Sequence, residues 1–142
     1  MWQRSYEAEA HGVSAEQIWQ VWTDINRWNE WDDMMEYART NEPFGKGCHF
    51  ELKPKGGSKL SLEIAECEEG KYFVDQCQLF LATVRGHHEI QQTKTGGLRI
   101  KTTVTLTGPL TFLWRMLLVQ KIVDGLPSDM ANIIAAAKKR NP

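Results

Sequence analysis

From Cys48 to Leu106 apolar and polar residues alternate again and again, in runs broken by glycine, and a chain patterned this way must place one face of a sheet in a core. The runs are Cys48, Phe50, Leu52; Leu60, Leu62, Ile64; then 72 to 84, 86 to 93 and 98 to 106. Glycine-containing breaks between several of them predict an antiparallel meander. The last run is the clearest. Leu98, Ile100, Val104 and Leu106 share a face with Thr102, while Arg99, Lys101, Thr103 and Thr105 face water. Ile90 is the only aliphatic residue between Val84 and Leu98, so it turns inward and carries His88 and Gln92 with it. The register of 72 to 84 is open. If Cys67 pairs with Tyr72, then Asp75, Cys77 and Leu79 lie inside; if Gly70 forms a bulge that pairs Cys67 with Lys71, Val74, Gln76, Gln78 and Phe80 do.

Another strand precedes the meander. Trp2, Tyr6, Ala8 and Ala10 alternate with Gln3, Ser5, Glu7 and Glu9, with Arg4 the misfit on the apolar face. Ser14 followed by Gln17 is a capping box, and Ile18, Val21, Trp22 and Ile25 give the helix that it opens an apolar face. A second short helix carries "NRWNEWDDMM", whose Trp28 and Trp31 read as anchors that plug one end of the sheet. Asp24 reads as a hydrogen-bonding residue of a helix end or turn.

The 142 residues fit one domain, 1–142, that buries roughly 70% of its unfolded surface. With 17 basic and 18 acidic side chains and no basic block except Lys138, Lys139 and Arg140, there is no footprint for nucleic acid. Cys48, Cys67 and Cys77 are odd in number and form no CxxC, which points to a reducing, cytoplasmic setting without a structural metal. No signal-peptide pattern opens the chain, and the run Leu110 to Val123 is short and broken by Arg115 and Lys121, so a soluble protein is expected.

After Pro109, small and unbranched residues predict one long helix to the end, bent near Gly125 and Leu126 because Pro127 lacks the amide that would bond to Val123. Phe112, Met116, Val119, Val123, Leu126, Met130, Ile133 and Ala137 form the stripe expected to lie along the sheet. Leu110, Leu113, Trp114, Leu117 and Leu118 form a second stripe that also needs cover. That cover comes from the short helices and the loop around Met34, Met35 and Phe44, from a second copy in a homodimer, or from transient membrane contact through Trp114, Leu117 and Leu118.

Two stretches, "SAEQIWQVWTDINRWNEWDD" and "GHHEIQQTKTGGLRIKTTVTLTGPL" before a helix holding "LP", resemble the START-like, Bet v 1-like superfamily (SRPBCC), which includes polyketide cyclases and dehydrases and lipid carriers. The resemblance covers nearly the whole chain. It implies an α+β helix-grip fold, a curved antiparallel β-sheet wrapped around a long C-terminal α-helix, with two short helices after the first strand and an internal apolar cavity.

Within that frame the ligand-binding candidates are Tyr6, Phe50, Leu62, His88, Ile100 and Thr102 from the sheet and Phe112, Met116, Val119 and Val123 from the helix. His88 can hydrogen-bond a ligand, transfer protons near neutral pH, or serve as a core histidine satisfied by a neighbour. Tyr6 and Thr102 offer hydroxyls. His87 and His88 point to opposite faces and cannot share a metal. GxSxG, HExxH and phosphate-loop motifs are absent, and no catalytic residue and no cofactor is assigned. Three functions stand open: binding or carriage of a lipid, isoprenoid or polyketide-like molecule between sheet and helix; a cyclase or dehydratase-type enzyme in the same cavity; and a protein interaction module whose cavity is vestigial.

Overall fold

The computed structural model describes residues 1–141. Seven strands form one antiparallel sheet in the order β1-β7-β6-β5-β4-β3-β2. They are β1 (Trp2–Ala10), β2 (Met35–Arg39), β3 (His49–Pro54), β4 (Leu60–Glu68), β5 (Tyr72–Leu79), β6 (Ala82–Gln92) and β7 (Leu98–Thr107). Helix α1 (Ala15–Thr23) and a 3₁₀ turn (Ile25–Glu30) link β1 to β2. The C-terminal helical stretch runs as α2 (Thr111–Trp114), a π-helical turn (Arg115–Val119), α3 (Gln120–Asp124) and α4 (Leu126–Lys138). Register shifts in β2 between Met35 and Tyr37 and in β4 between Ile64 and Glu66 add the extra residues that bend and twist a sheet. This is the helix-grip architecture expected from the sequence.

The capping box is present: the Ser14 hydroxyl accepts from the Gln17 amide, and the Gln17 side chain accepts from the Ser14 amide. Gln17 also donates to the Arg140 carbonyl at 2.9 Å, and Arg140 pairs with Asp24 at 2.9 Å. These bonds fasten α1 to the chain's far end, and Asp24 works as an ion-pair partner. Trp28 is buried, donates to the Trp22 carbonyl and meets Phe50 edge-to-face, while Trp31 is half-buried beside it. Both tryptophans are anchors.

Three expectations need correction. The meander turn sits at Phe80-Leu81, not near Gly86, which lies inside β6. Met35–Arg39 is a strand rather than loop. The C-terminal stretch is segmented: it breaks at Gly125 as expected from Pro127, and it also contains a π turn in which the Gln120 amide reaches back to the Arg115 carbonyl. A π turn adds one residue and rotates everything before it. Val119 onward faces the core as expected, with Val119, Leu126, Met130, Ile133 and Ala137 buried. Phe112 and Met116 are turned outward, 73% and 61% exposed, and Trp114 and Leu118 take the inward side. No helix among the described residues is long and apolar enough to cross a membrane.

Asp129 in the first turn of α4 has its carboxyl pushed up to about 7, first by burial and then by the nearby charges of Asp32 and Asp33. The folded chain therefore holds this proton more tightly than the unfolded chain. The resulting penalty is absent below about pH 4, grows as pH rises and is complete above about pH 7. We expect Asp129→Asn to raise the melting temperature at about pH 8, with the gain vanishing towards about pH 4. Thermal denaturation at the two pH values checks this, and an equal difference at both contradicts it.

Candidate functional site

The strand pairing follows neither of the two alternatives, although it turns Asp75, Cys77 and Leu79 inward as the first of them does. Cys67 pairs with Phe73 and Glu68 with Tyr72, and the bulge after Ile64 keeps both Ile64 and Cys67 on the inner side. Phe73, Asp75, Cys77 and Leu79 consequently face inward. Cross-strand partners share a face, so the concave surface carries the row Tyr6, Thr102, His88, Phe73 and, one step along, the row Arg4, Val104, Gly86, Asp75.

Three polar side chains on these rows form one hydrogen-bonded chain. His88 Nε2 lies 3.0 Å from Asp75 Oδ2, and His88 Nδ1 lies 3.2 Å from the Thr102 hydroxyl. A carboxylate can only accept, so Nε2 carries a proton, and in the neutral imidazole Nδ1 then accepts from the Thr102 hydroxyl. The imidazole is clamped in plane as well: it stacks on Phe73 at 4.4 Å and 17° and meets the edge of Trp22 at 6.0 Å. Thr102 is buried, whereas the His88 and Asp75 side chains keep 22% and 17% of their exposure. Solvent reaches the chain.

Gly86 makes the arrangement possible. A Cβ at this position would stand 2.6 Å from Asp75 Oδ1 and 2.9 Å from His88 Nε2, closer than carbon approaches either atom. Asp75 Oδ1 therefore sits over the glycine, and among the described residues it makes no hydrogen bond.

The polar chain divides the core. On β5, Phe73 belongs to one apolar cluster and Cys77 to another, with Asp75 between them. On β7, Ile100 and Val104 flank Thr102 in the same way, and on β6, Ile90 and Val84 flank His88 and Gly86. The first cluster packs α1 and the end of α4 with Phe50 and Ile64; the second packs Val119 and Leu126 with Leu79 and Leu106. Leu62 touches both, and Val123 packs on the second. Cys77 is not a nucleophile at neutral pH, since burial and then the Asp75 charge push its thiol up to about 11.

Of the residues singled out in the sequence, His88, Thr102, Ile100, Phe50, Leu62, Val119 and Val123 lie on the inner side of the fold. Tyr6 lies on the concave row but at the edge strand and is 38% exposed. Phe112 and Met116 lie outside, for the helical reason given above. Asp75 follows from only one of the two registers that the sequence allows, and Gly86 opens the run 86 to 93 in the sequence but lies inside β6 in the fold. His87 points to the other face, stacked on Tyr72 and 3.2 Å from Glu89. Two open recesses of about 250 and 360 Å³ flank α1, one near Val21, Trp31 and Ala136, the other near Trp19, Phe44 and Cys67. Neither is lined by any of the ligand-binding candidates.

Gly86→Ala should force Asp75 and His88 apart and cost about 1–3 kcal/mol, the usual range for overpacking. Urea denaturation gives the loss, and the Nε2–H proton resonance of His88 should broaden as it exchanges with water. Parent-like stability with an intact resonance would show that the glycine is not required.

No family model and no curated protein sequence matches the chain, whereas solved structures do. Ara h 8.0201 superposes with a TM-score of 0.73 at 14% identity, covering 98% of this chain and 99% of its own. A START superfamily protein from Mycobacterium smegmatis gives 0.70 at 13%, covering 94% and 97%. Truncated norcoclaurine synthase from Thalictrum flavum gives 0.71 at 13%, covering 99% and 95%. The chain has the Bet v 1-like, START-like fold that these proteins share.

Proposed function

We propose that the chain binds an apolar small molecule that carries a hydroxyl or phenol group, held between the concave sheet and the C-terminal helix. The observation that supports this is the solvent-reached polar chain Asp75–His88–Thr102 lying between two apolar clusters. Buried polar groups left unpaired cost about 1–3 kcal/mol each, and an all-apolar row at these positions would avoid that risk. A ligand gives the polar row a use. Its apolar body rests on surface contributed by Leu62, Val84 and Val123, and its hydroxyl donates to Asp75 Oδ1, the acceptor left open over Gly86. A neutral donor suits this acceptor, while a ligand carboxylate would meet the Asp75 charge.

The Asp75–His88 pair also favours a second reading, a cyclase or dehydratase-type enzyme in which His88 moves protons. Both of its ring nitrogens are already engaged, so proton transfer to a substrate requires Thr102 or Asp75 to let go first. Binding requires no such step, and we take it as the function.

Calorimetric titration with a medium-chain alkylphenol and with its methyl ether tests the proposal. The parent should prefer the phenol by about tenfold, the worth of one hydrogen bond to a charged acceptor. The triple variant Asp75→Leu/His88→Phe/Thr102→Val leaves no orphaned donor on the row and should lose the preference while still binding both compounds. Val123→Trp, which enlarges the side chain that packs on the second cluster, should weaken both alike. Failure of the parent to bind either compound would overturn ligand binding, and an equal affinity for both would overturn the role of the polar row.

A further inference from the structure

The outward turn of α2 leaves Phe112, Leu113, Met116 and Leu117 exposed by 73%, 43%, 61% and 58%. Beside them stands the β5–β6 hairpin tip, where Phe80 and Leu81 are 72% and 51% exposed. Hairpin tips ordinarily carry glycine, asparagine or aspartate. Here two large apolar residues occupy the loop, and Leu81 is the only non-glycine among the described residues at positive φ, 52°. Tip and helix are locked together. The Trp114 indole donates to the Phe80 carbonyl at 2.8 Å, and the Leu110 amide donates to the Leu81 carbonyl at 3.0 Å. Gly108 lies so close beneath that a Cβ there would stand 2.6 Å from the Leu81 carbonyl oxygen. The six exposed side chains thus stand on one braced apolar platform, and the positive φ that the two-residue turn requires is taken here by an exposed leucine instead of a glycine or asparagine.

Charge around the platform has one sign. Residues 76 to 84 and 107 to 123 contain no aspartate or glutamate, and the second stretch carries Arg115 and Lys121. Arg115 and Arg4 both lie against the Trp2 ring, at 5.1 and 4.9 Å. None of Arg4, Arg115 and Lys121 takes part in an ion pair among the described residues. In a chain with net charge −1, this local excess of unpaired cations beside exposed aromatics stands out.

From this juxtaposition we infer that the platform of Phe80, Leu81, Phe112, Leu113, Met116 and Leu117 docks on an anionic lipid bilayer, the side chains entering the interface and the basic residues meeting headgroup charge. The contact expected from the sequence through Trp114, Leu117 and Leu118 is thereby reassigned, since Trp114 and Leu118 serve the core. Docking here is independent of the ligand site, because none of the platform residues lies on the polar row.

Co-sedimentation of the full chain with vesicles of phosphatidylcholine alone and of equal parts phosphatidylcholine and phosphatidylglycerol tests the inference. Binding should be strong only to the mixed vesicles and should fall with added salt. Phe80→Ser/Phe112→Ser, at two exposed positions, should reduce it by at least about tenfold with an unchanged circular dichroism spectrum. Lys121→Gln should weaken binding to the mixed vesicles by about fivefold, about 1 kcal/mol per basic residue. Absence of binding by the parent to either vesicle, or parent-like binding by the double variant, overturns the inference. So does a parent that sediments as a dimer in solution and a double variant that sediments as a monomer, since a second copy would then be the occupant.

Discussion

Everything at the centre of this fold depends on keeping His88 satisfied on both ring nitrogens. An imidazole on the concave face of a sheet has lost much of its water, and each nitrogen must find a partner within the protein or cost stability. Asp75 and Thr102 provide the partners from the two neighbouring strands, which fixes the ring's tautomer and leaves it flat against Phe73. The arrangement requires Asp75 to face inward, which in turn depends on the bulge after Ile64 and on the absence of a side chain at Gly86. A hydrogen bond, a bulge and a glycine are thus parts of one solution.

The same row organises the hydrophobic core. Because polar residues cross the adjacent strands β7, β6 and β5 at one level, the apolar residues fall into two clusters, one fastened by α1 and the end of α4, the other by the π turn and the start of α4. The π turn has consequences on both sides of the helix. Inside, it brings Val119 fully under cover; outside, it moves Phe112 and Met116 into solvent beside the hairpin tip. One extra residue in a helical turn thereby couples the packing of the second cluster to the character of the surface.

Much of this was legible in the amino-acid order because single-residue periodicity records which face is buried. The last strand is an example: Leu98, Ile100, Thr102, Val104 and Leu106 are all buried, as their alternation predicts. The capping box and the anchoring tryptophans were legible too, being local or aromatic signals. Insertions of one residue were not. The bulge in β4 and the π turn leave no mark in composition, yet each changes which side chains face inward: the pairing across the turn at Gly70 leaves Asp75 open between two registers, and an unbroken helical period puts Phe112 and Met116 on the wrong face. The turn after β5 is hidden for a related reason: it uses Leu81 at a conformation that sequence patterns assign to glycine, while Gly86, within β6, provides clearance.

The central claim, that the Asp75–His88–Thr102 row is the floor of a ligand site, is tested most directly by nitrogen-15 NMR of the imidazole rings during titration with an alkylphenol. His88 should begin as a single tautomer protonated at Nε2, and its resonances and those of Thr102 should shift to saturation as ligand is added while those of His87, on the opposite face, stay fixed. Saturating ligand that leaves His88 and Thr102 unmoved, or that shifts His87 instead, would contradict it.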